Sequence, residues 1–126
     1  MIKIDLKNEV QEEPILELET EKGIVDLHND YICSDIVIDP QFLKLVFEYD
    51  DSIIDYSPRS TILKVHVLFE KYNSDNIEGL ERNIGLSLDN LSKSQLKNNK
   101  FFYIFSFTEG DEYELECDNV FLILMD

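Results

Sequence analysis

The chain contains no tryptophan, no alanine, four glycines, three prolines, two cysteines and two histidines. Each shortage removes a class of chemistry. None of the glycines falls in a phosphate-cradling loop, so nucleotide binding by that route is not expected. Without tryptophan there is no indole platform for sugars, leaving only tyrosine for such stacking. Cys33 and Cys117 have none of the close spacings that hold zinc, and in a reducing compartment they stay free thiols. There is no Gly-x-Ser-x-Gly elbow, and a pairing of Cys33 with His28 or His66 would need a proximity that spacing does not show. No run approaches the ~20 apolar residues of a membrane helix, and "MIKIDLKNEV" alternates apolar with charged residues instead of presenting a signal core. A cytoplasmic protein with no membrane partner is expected. Positive charge is also scarce, with 11 Lys and Arg against 27 Asp and Glu and a formal net charge of −16. Such a surface repels phosphate backbones, so no direct nucleic-acid binding is expected. The one acid-free basic stretch runs from Asn90 to Thr108 and carries Lys93, Lys97 and Lys100.

What is present is enough for a core. At 126 residues, 44% hydrophobic with eight Phe and six Tyr, the chain suits a single domain over residues 1–126 that buries roughly two thirds of its unfolded surface. The patterning is that of strands. In "MIKIDL", Ile2, Ile4 and Leu6 share one face, and "PILELE" opens with a proline suited to a sheet edge. "GIVDL" follows, then "YICSDIVI" and "FLKLVFEY", joined at Asp39-Pro40-Gln41 as a hairpin. Leu43, Leu45, Phe47 and Tyr49 alternate with Lys44 and Glu48. A second proline turn in "SIIDYSPRS" leads to "TILKVHVLFEK", with Leu63, Val65, Val67 and Phe69 inward and Lys64, His66 and Glu70 outward. Ile77, Leu80, Ile84, Leu88 and Leu91 follow helical spacing, yet "IGLSL" alternates; a strand or bulge over Ile84 to Leu88 and a short helix or loop over Leu91 to Asn98 are expected. "KFFYIFSF" reads as a central strand, "EYELEC" alternates after Glu109-Gly110-Asp111, and Asp118-Asn119 suits a two-residue hairpin turn into "VFLILM". The fold expected is mainly β, an antiparallel sandwich or barrel-like sheet with room for one short helix, α+β being the alternative.

The most concentrated polar constellation is "DLHNDYICSD". If residues 26 to 30 are extended, Asp26, His28 and Asp30 project from one face, a set able to hold a divalent ion or to tune an imidazole for acid-base work. The same spacing describes a solvated strand edge, and a third strong ligand is missing, so neither a metal, a cofactor nor a catalytic residue is expected there. Acidic clusters are the other strong feature: Glu9, Glu12 and Glu13; Asp50, Asp51 and Asp55; and Glu109, Asp111, Glu112, Glu114 and Glu116. They read either as solvated faces or as a surface matched to a basic partner.

The hairpin "LHNDYICSDIVIDPQFLKLVFEY", followed by "LKVHVLF", resembles the front half of small acidic β-rich bacterial immunity-type proteins of polymorphic-toxin systems. In these a His-Asp element precedes Ile-x-x-Ile, a turn and Leu-x-Leu-x-Phe; here Asn29 stands between His28 and Asp30. The resemblance spans about residues 26 to 69 and implies an antiparallel β-rich intracellular protein with no catalysis, to which the acidic surface adds the expectation of a basic partner such as a toxin or nuclease domain. Asp50, Asp51, Asp55, Glu109, Asp111, Glu112, Glu114 and Glu116 are then the candidate partner-binding residues, on a monomer or weak homodimer. The alternatives are a metal-assisted hydrolase using Asp26, His28 and Asp30, and an acidic regulator that mimics nucleic-acid charge.

Overall fold

The structure, a computed structural model, describes residues 1–8, 13–52, 59–73, 75, 77–94 and 101–126. Among them the chain forms β1 (Ile2–Asp5), β2 (Glu17–Thr20), β3 (Gly23–Asp26), β4 (Tyr31–Ile38), β5 (Phe42–Tyr49), β6 (Lys64–Glu70), β7 (Leu88–Lys93), β8 (Phe101–Phe107), β9 (Glu112–Cys117) and β10 (Asn119–Met125). All pairings of these strands are antiparallel. They make a five-stranded sheet in the order β1-β10-β6-β5-β4, a three-stranded sheet β7-β8-β9 and a ribbon β2-β3. The protein is mainly β, and its sheet is not closed into a barrel.

The alternation read from the sequence becomes cross-strand rows. Cys33, Phe47, Val65, Leu124 and Ile2 face one another across five strands, with Ile36, Leu45, Val67, Leu122 and Ile4 in the next row. On this inner face Leu43, Leu45, Phe47, Val65, Val67, Phe69, Val120, Leu122 and Leu124 are fully buried. They meet the inner face of the smaller sheet. Phe69 stacks on Phe105 with ring centroids 5.2 Å apart, Phe47 lies 6.3 Å from Phe107, and Tyr103 meets Phe69 edge-on. Ring contacts of this kind add to the burial that holds two sheets face to face.

Several expectations change. "PILELE" starts its strand at Glu17, three residues after the proline, and that strand pairs only with β3. Asp118-Asn119 is not a hairpin turn. The N–H of Asp118 donates to the Glu70 carbonyl and β10 inserts between β1 and β6, so the chain crosses from one sheet to the other. Leu63, expected inside, is 58% exposed, while Ile62 is fully buried. Residues 62 and 63 precede the strand that begins at Lys64, so the alternation does not extend back to them. Between Ile77 and Leu91 a 3-10 helix occupies Leu80–Asn83 and a strand covers Leu88–Lys93, so the helical turn comes earlier and the strand later than the spacing suggested. The rest of the expected Leu91 to Asn98 helix, Lys97, Lys100, Glu9, Glu12 and the second proline turn fall outside the described residues.

The ring seam makes a quantitative claim about the core. Phe69→Ala or Phe105→Ala should each cost about 3 to 5 kcal/mol in chemical denaturation. Leu63→Ala should stay within about 0.5 kcal/mol of the parent, as an exposed substitution does.

Candidate functional site

The stretch from Asp26 to Asp30 is not extended. β3 ends at Asp26, and residues 27 to 30 form a turn. The cause is local: Asp26 Oδ1 accepts the backbone N–H of His28 and of Asn29, each at 3.0 Å, the side-chain-to-backbone bonding by which aspartate initiates turns. Leu27 is pulled fully into the core. The two aspartates stay together on Arg59 and the histidine parts from them. Asp26 Oδ2 accepts from Arg59 Nη2 at 2.8 Å, and Asp30 Oδ2 accepts from Nη2 at 3.1 Å and Nε at 3.3 Å. His28 goes elsewhere, to the start of β7.

This Arg59 clamp depends on a close backbone approach. Gly23, at a φ of 114°, lies against Arg59 and Ser60, where a Cβ would run into the Arg59 carbonyl. The Ile24 N–H donates to that carbonyl at 2.9 Å, which sets Arg59 alongside β3. Burial opposes ionisation of Asp26, but the Asn29 amide and N–H, Arg59 and the His28 N–H together outweigh it and hold the carboxyl below its ordinary range. Asp30 is almost fully buried, and among the described residues its Oδ1 has no hydrogen-bond partner.

The imidazole of His28 is fixed by Nδ1, which lies 2.9 Å from the Leu88 carbonyl. A carbonyl only accepts, so Nδ1 carries the proton. Thr108 Oγ1 at 3.5 Å and Asp89 Oδ1 at 3.8 Å approach that same nitrogen. A hydroxyl–imidazole–carboxylate relay needs its partners on opposite ring nitrogens, and this arrangement does not provide it. Among the described residues no group of three or more His, Cys, Asp or Glu side chains is placed to hold a metal ion. Cys33 and His66 are separated by the sheet, with Cys33 buried and His66 on the outer face. Burial pushes each thiol, Cys33 and Cys117, up to about 12. Burial, followed by Lys44 and Lys64, lowers the pKa of His66.

The acidic candidates divide between three places. Glu112, Glu114 and Glu116 alternate with buried Tyr113, Leu115 and Cys117, so β9 presents a carboxylate row outward. Successive members of such a row lie about 7 Å apart. Asp75 and Glu78 lie beside it. Asn73 donates its N–H to the Glu116 carbonyl at 2.8 Å, and the buried Asn83 amide bonds the Leu80 carbonyl and the Tyr113 hydroxyl, which ties this segment to β9. Two adjoining openings of about 440 and 340 Å³ result, sharing Asp75 and Glu114, with Phe102 in the wall of the second. Asp111 turns aside to Arg82 and Tyr113. Asp50 and Glu109 line a separate cavity beside His28, Asp51 is an exposed turn residue, and Asp55 lies outside the described residues.

No protein-family model, no curated protein and no solved structure matches the chain. The site therefore rests on its own geometry.

Arg59 neutralises carboxylates that are nearly out of water, and removing it should be felt. Arg59→Met should lower stability by about 3 kcal/mol at neutral pH, the lower end for a broken buried pair, because the guanidinium side chain is 35% exposed. The folded pKa of Asp26 is depressed, so its contribution is complete above about pH 4 and is lost as pH falls through the folded value. The gap between Arg59→Met and the parent, read from urea midpoints, should therefore narrow below about pH 4.

Proposed function

We propose that this chain is a non-catalytic cytoplasmic binding protein of the immunity type, which inhibits a basic toxin or nuclease by covering its cationic surface. The observation that carries the reading is the β9 row: Glu112, Glu114 and Glu116 on one outward face, flanked by Asp75 and Glu78, around an open groove with an aromatic wall. A polyanion-directed toxin presents Lys and Arg where phosphate would lie. A carboxylate row on a rigid strand occupies that surface without offering a bond to cleave. The charge speeds encounter and selects the partner, and the half-buried Phe102 in the groove wall adds apolar surface beside the row.

The test uses the partner purified from source cells and its association rate with the intact protein. The rate should fall by about tenfold or more between low and high salt, as electrostatic steering requires. Neutralising the row in E112Q/E114Q/E116Q should remove most of that salt dependence while leaving the unfolding midpoint within a small shift. An unchanged rate in the triple variant, or a partner with no basic surface, contradicts the proposal.

A further inference from the structure

We propose that the cavity beside His28 is a second recognition site, built to accept one alkylammonium group, and that it works independently of the β9 groove. The cavity measures about 250 Å³ and shares no lining residue with the groove. Its chemistry is two-sided. Ile32 and Leu86 give an apolar wall suited to a methylene stem, while His28, Asp50 and Glu109 supply acceptors.

His28 and Asp50 are held in place by hydrogen bonds, and Glu109 by its backbone alone. His28 Nδ1–H donates to the Leu88 carbonyl, so in the neutral ring Nε2 is the acceptor, and no hydrogen bond involves it among the described residues. Asp50 donates its N–H to the Asp30 carbonyl at 2.8 Å, and its Oδ1 accepts from the N–H and hydroxyl of Ser52, while among the described residues Oδ2 accepts no hydrogen bond. Glu109 sits at the turn after β8 in the left-handed region, with a φ of 59°. Among the described residues the lining contains no lysine or arginine.

Carboxylates, a ring nitrogen and an apolar wall around one cavity suit a primary ammonium on a hydrocarbon chain, which bonds one acceptor directly and reaches the others through water. They do not match an anion, which two carboxylates repel. A divalent ion needs converging ligands, and no such group occurs among the described residues. Two sources carry this chemistry: a lysine side chain of a protein partner, and a free diamine.

The test is an NMR titration of the intact protein with Nα-acetyl-lysine N-methylamide and, separately, with putrescine. The two histidines make an internal control, because His66 lies on the outer face of β6. The inference expects a saturable shift of the His28 ring and of the Glu109 and Leu86 amides, with His66 unmoved and with no response to the uncharged norleucine analogue. Affinity should drop at least about fivefold in E109Q and further in D50N/E109Q, as when charge-assisted acceptors are lost. E109Q alters only an exposed turn side chain, so its spectrum elsewhere should overlay the parent. Tighter binding of the capped lysine assigns the site to a protein partner, and tighter binding of putrescine assigns it to free diamines. A titration that leaves His28 unmoved, moves both histidines alike, or is unaffected in E109Q and D50N/E109Q overturns the inference. Shifts confined to Glu112–Glu116 overturn it too, while leaving the β9 reading intact; a His28 response retained in E112Q/E114Q/E116Q supports it.

Discussion

The contact of Phe69 with Phe105 decides what the rest of the molecule can show to solvent. These rings lie at the centre of the seam where the five-stranded and three-stranded sheets meet, and burying them fixes which face of β8 points inward. Phe105 stands opposite Tyr113 in the β8–β9 register and stacks on it at 5.4 Å. With Tyr113 inward, Leu115 and Cys117 follow by the period of two, and Glu112, Glu114 and Glu116 have no choice but the outer face. A slip of one residue would exchange the two sets and place three carboxylates in the core. The display of charge is thus a consequence of apolar packing, and the two are one constraint.

The acidity of the chain is not evenly spread or uniformly solvated. Asp26 and Asp30 are almost fully buried and held by Arg59, where they serve to pin the turn before β4. On the outer face of the five-stranded sheet, cations and carboxylates interleave: Lys3 and Asp5 on β1, Lys44 and Glu48 on β5, Lys64 and Glu70 on β6, with Lys64 and Glu48 3.3 Å apart. The outer face of β9 carries carboxylates at alternate positions with no cation between them. Among the described residues the outer face of the five-stranded sheet is mixed in charge and that of β9 is anionic.

Much of the fold was legible because half-buried strands write their inward face into alternate residues, as in Leu43-Leu45-Phe47, Val65-Val67-Phe69 and Tyr113-Leu115-Cys117. Failures came where a local signal has two tertiary outcomes. Asp118-Asn119 has turn chemistry, but nothing local tells whether the next strand pairs with β9 or crosses to the other sheet. In β4, Cys33 and Ile36 are both buried because a bulge between Cys33 and Asp35 inserts one residue, which simple alternation does not anticipate. The site was less legible than the fold. Alternate acids in "EYELEC" revealed the row, but Asp75 and Glu78 reach it only because Asn73 and Asn83 tie their segment to β9. Asp26 and Asp30 were visible as a cluster, whereas their partner Arg59 was not, since only the close approach at Gly23 brings it alongside.

The proposed binding of a basic surface by β9 predicts recognition of cationic groups by spacing as well as by charge. The most direct measurement compares two peptides of equal length and charge by calorimetry: one alternating lysine with serine, so that ammonium groups recur at about the 7 Å interval of a strand, the other with its lysines in one block. The account predicts tighter binding of the alternating peptide, with the preference abolished in E112Q/E114Q/E116Q. Equal affinity for the two peptides, or a preference that survives neutralisation of the row, would contradict it.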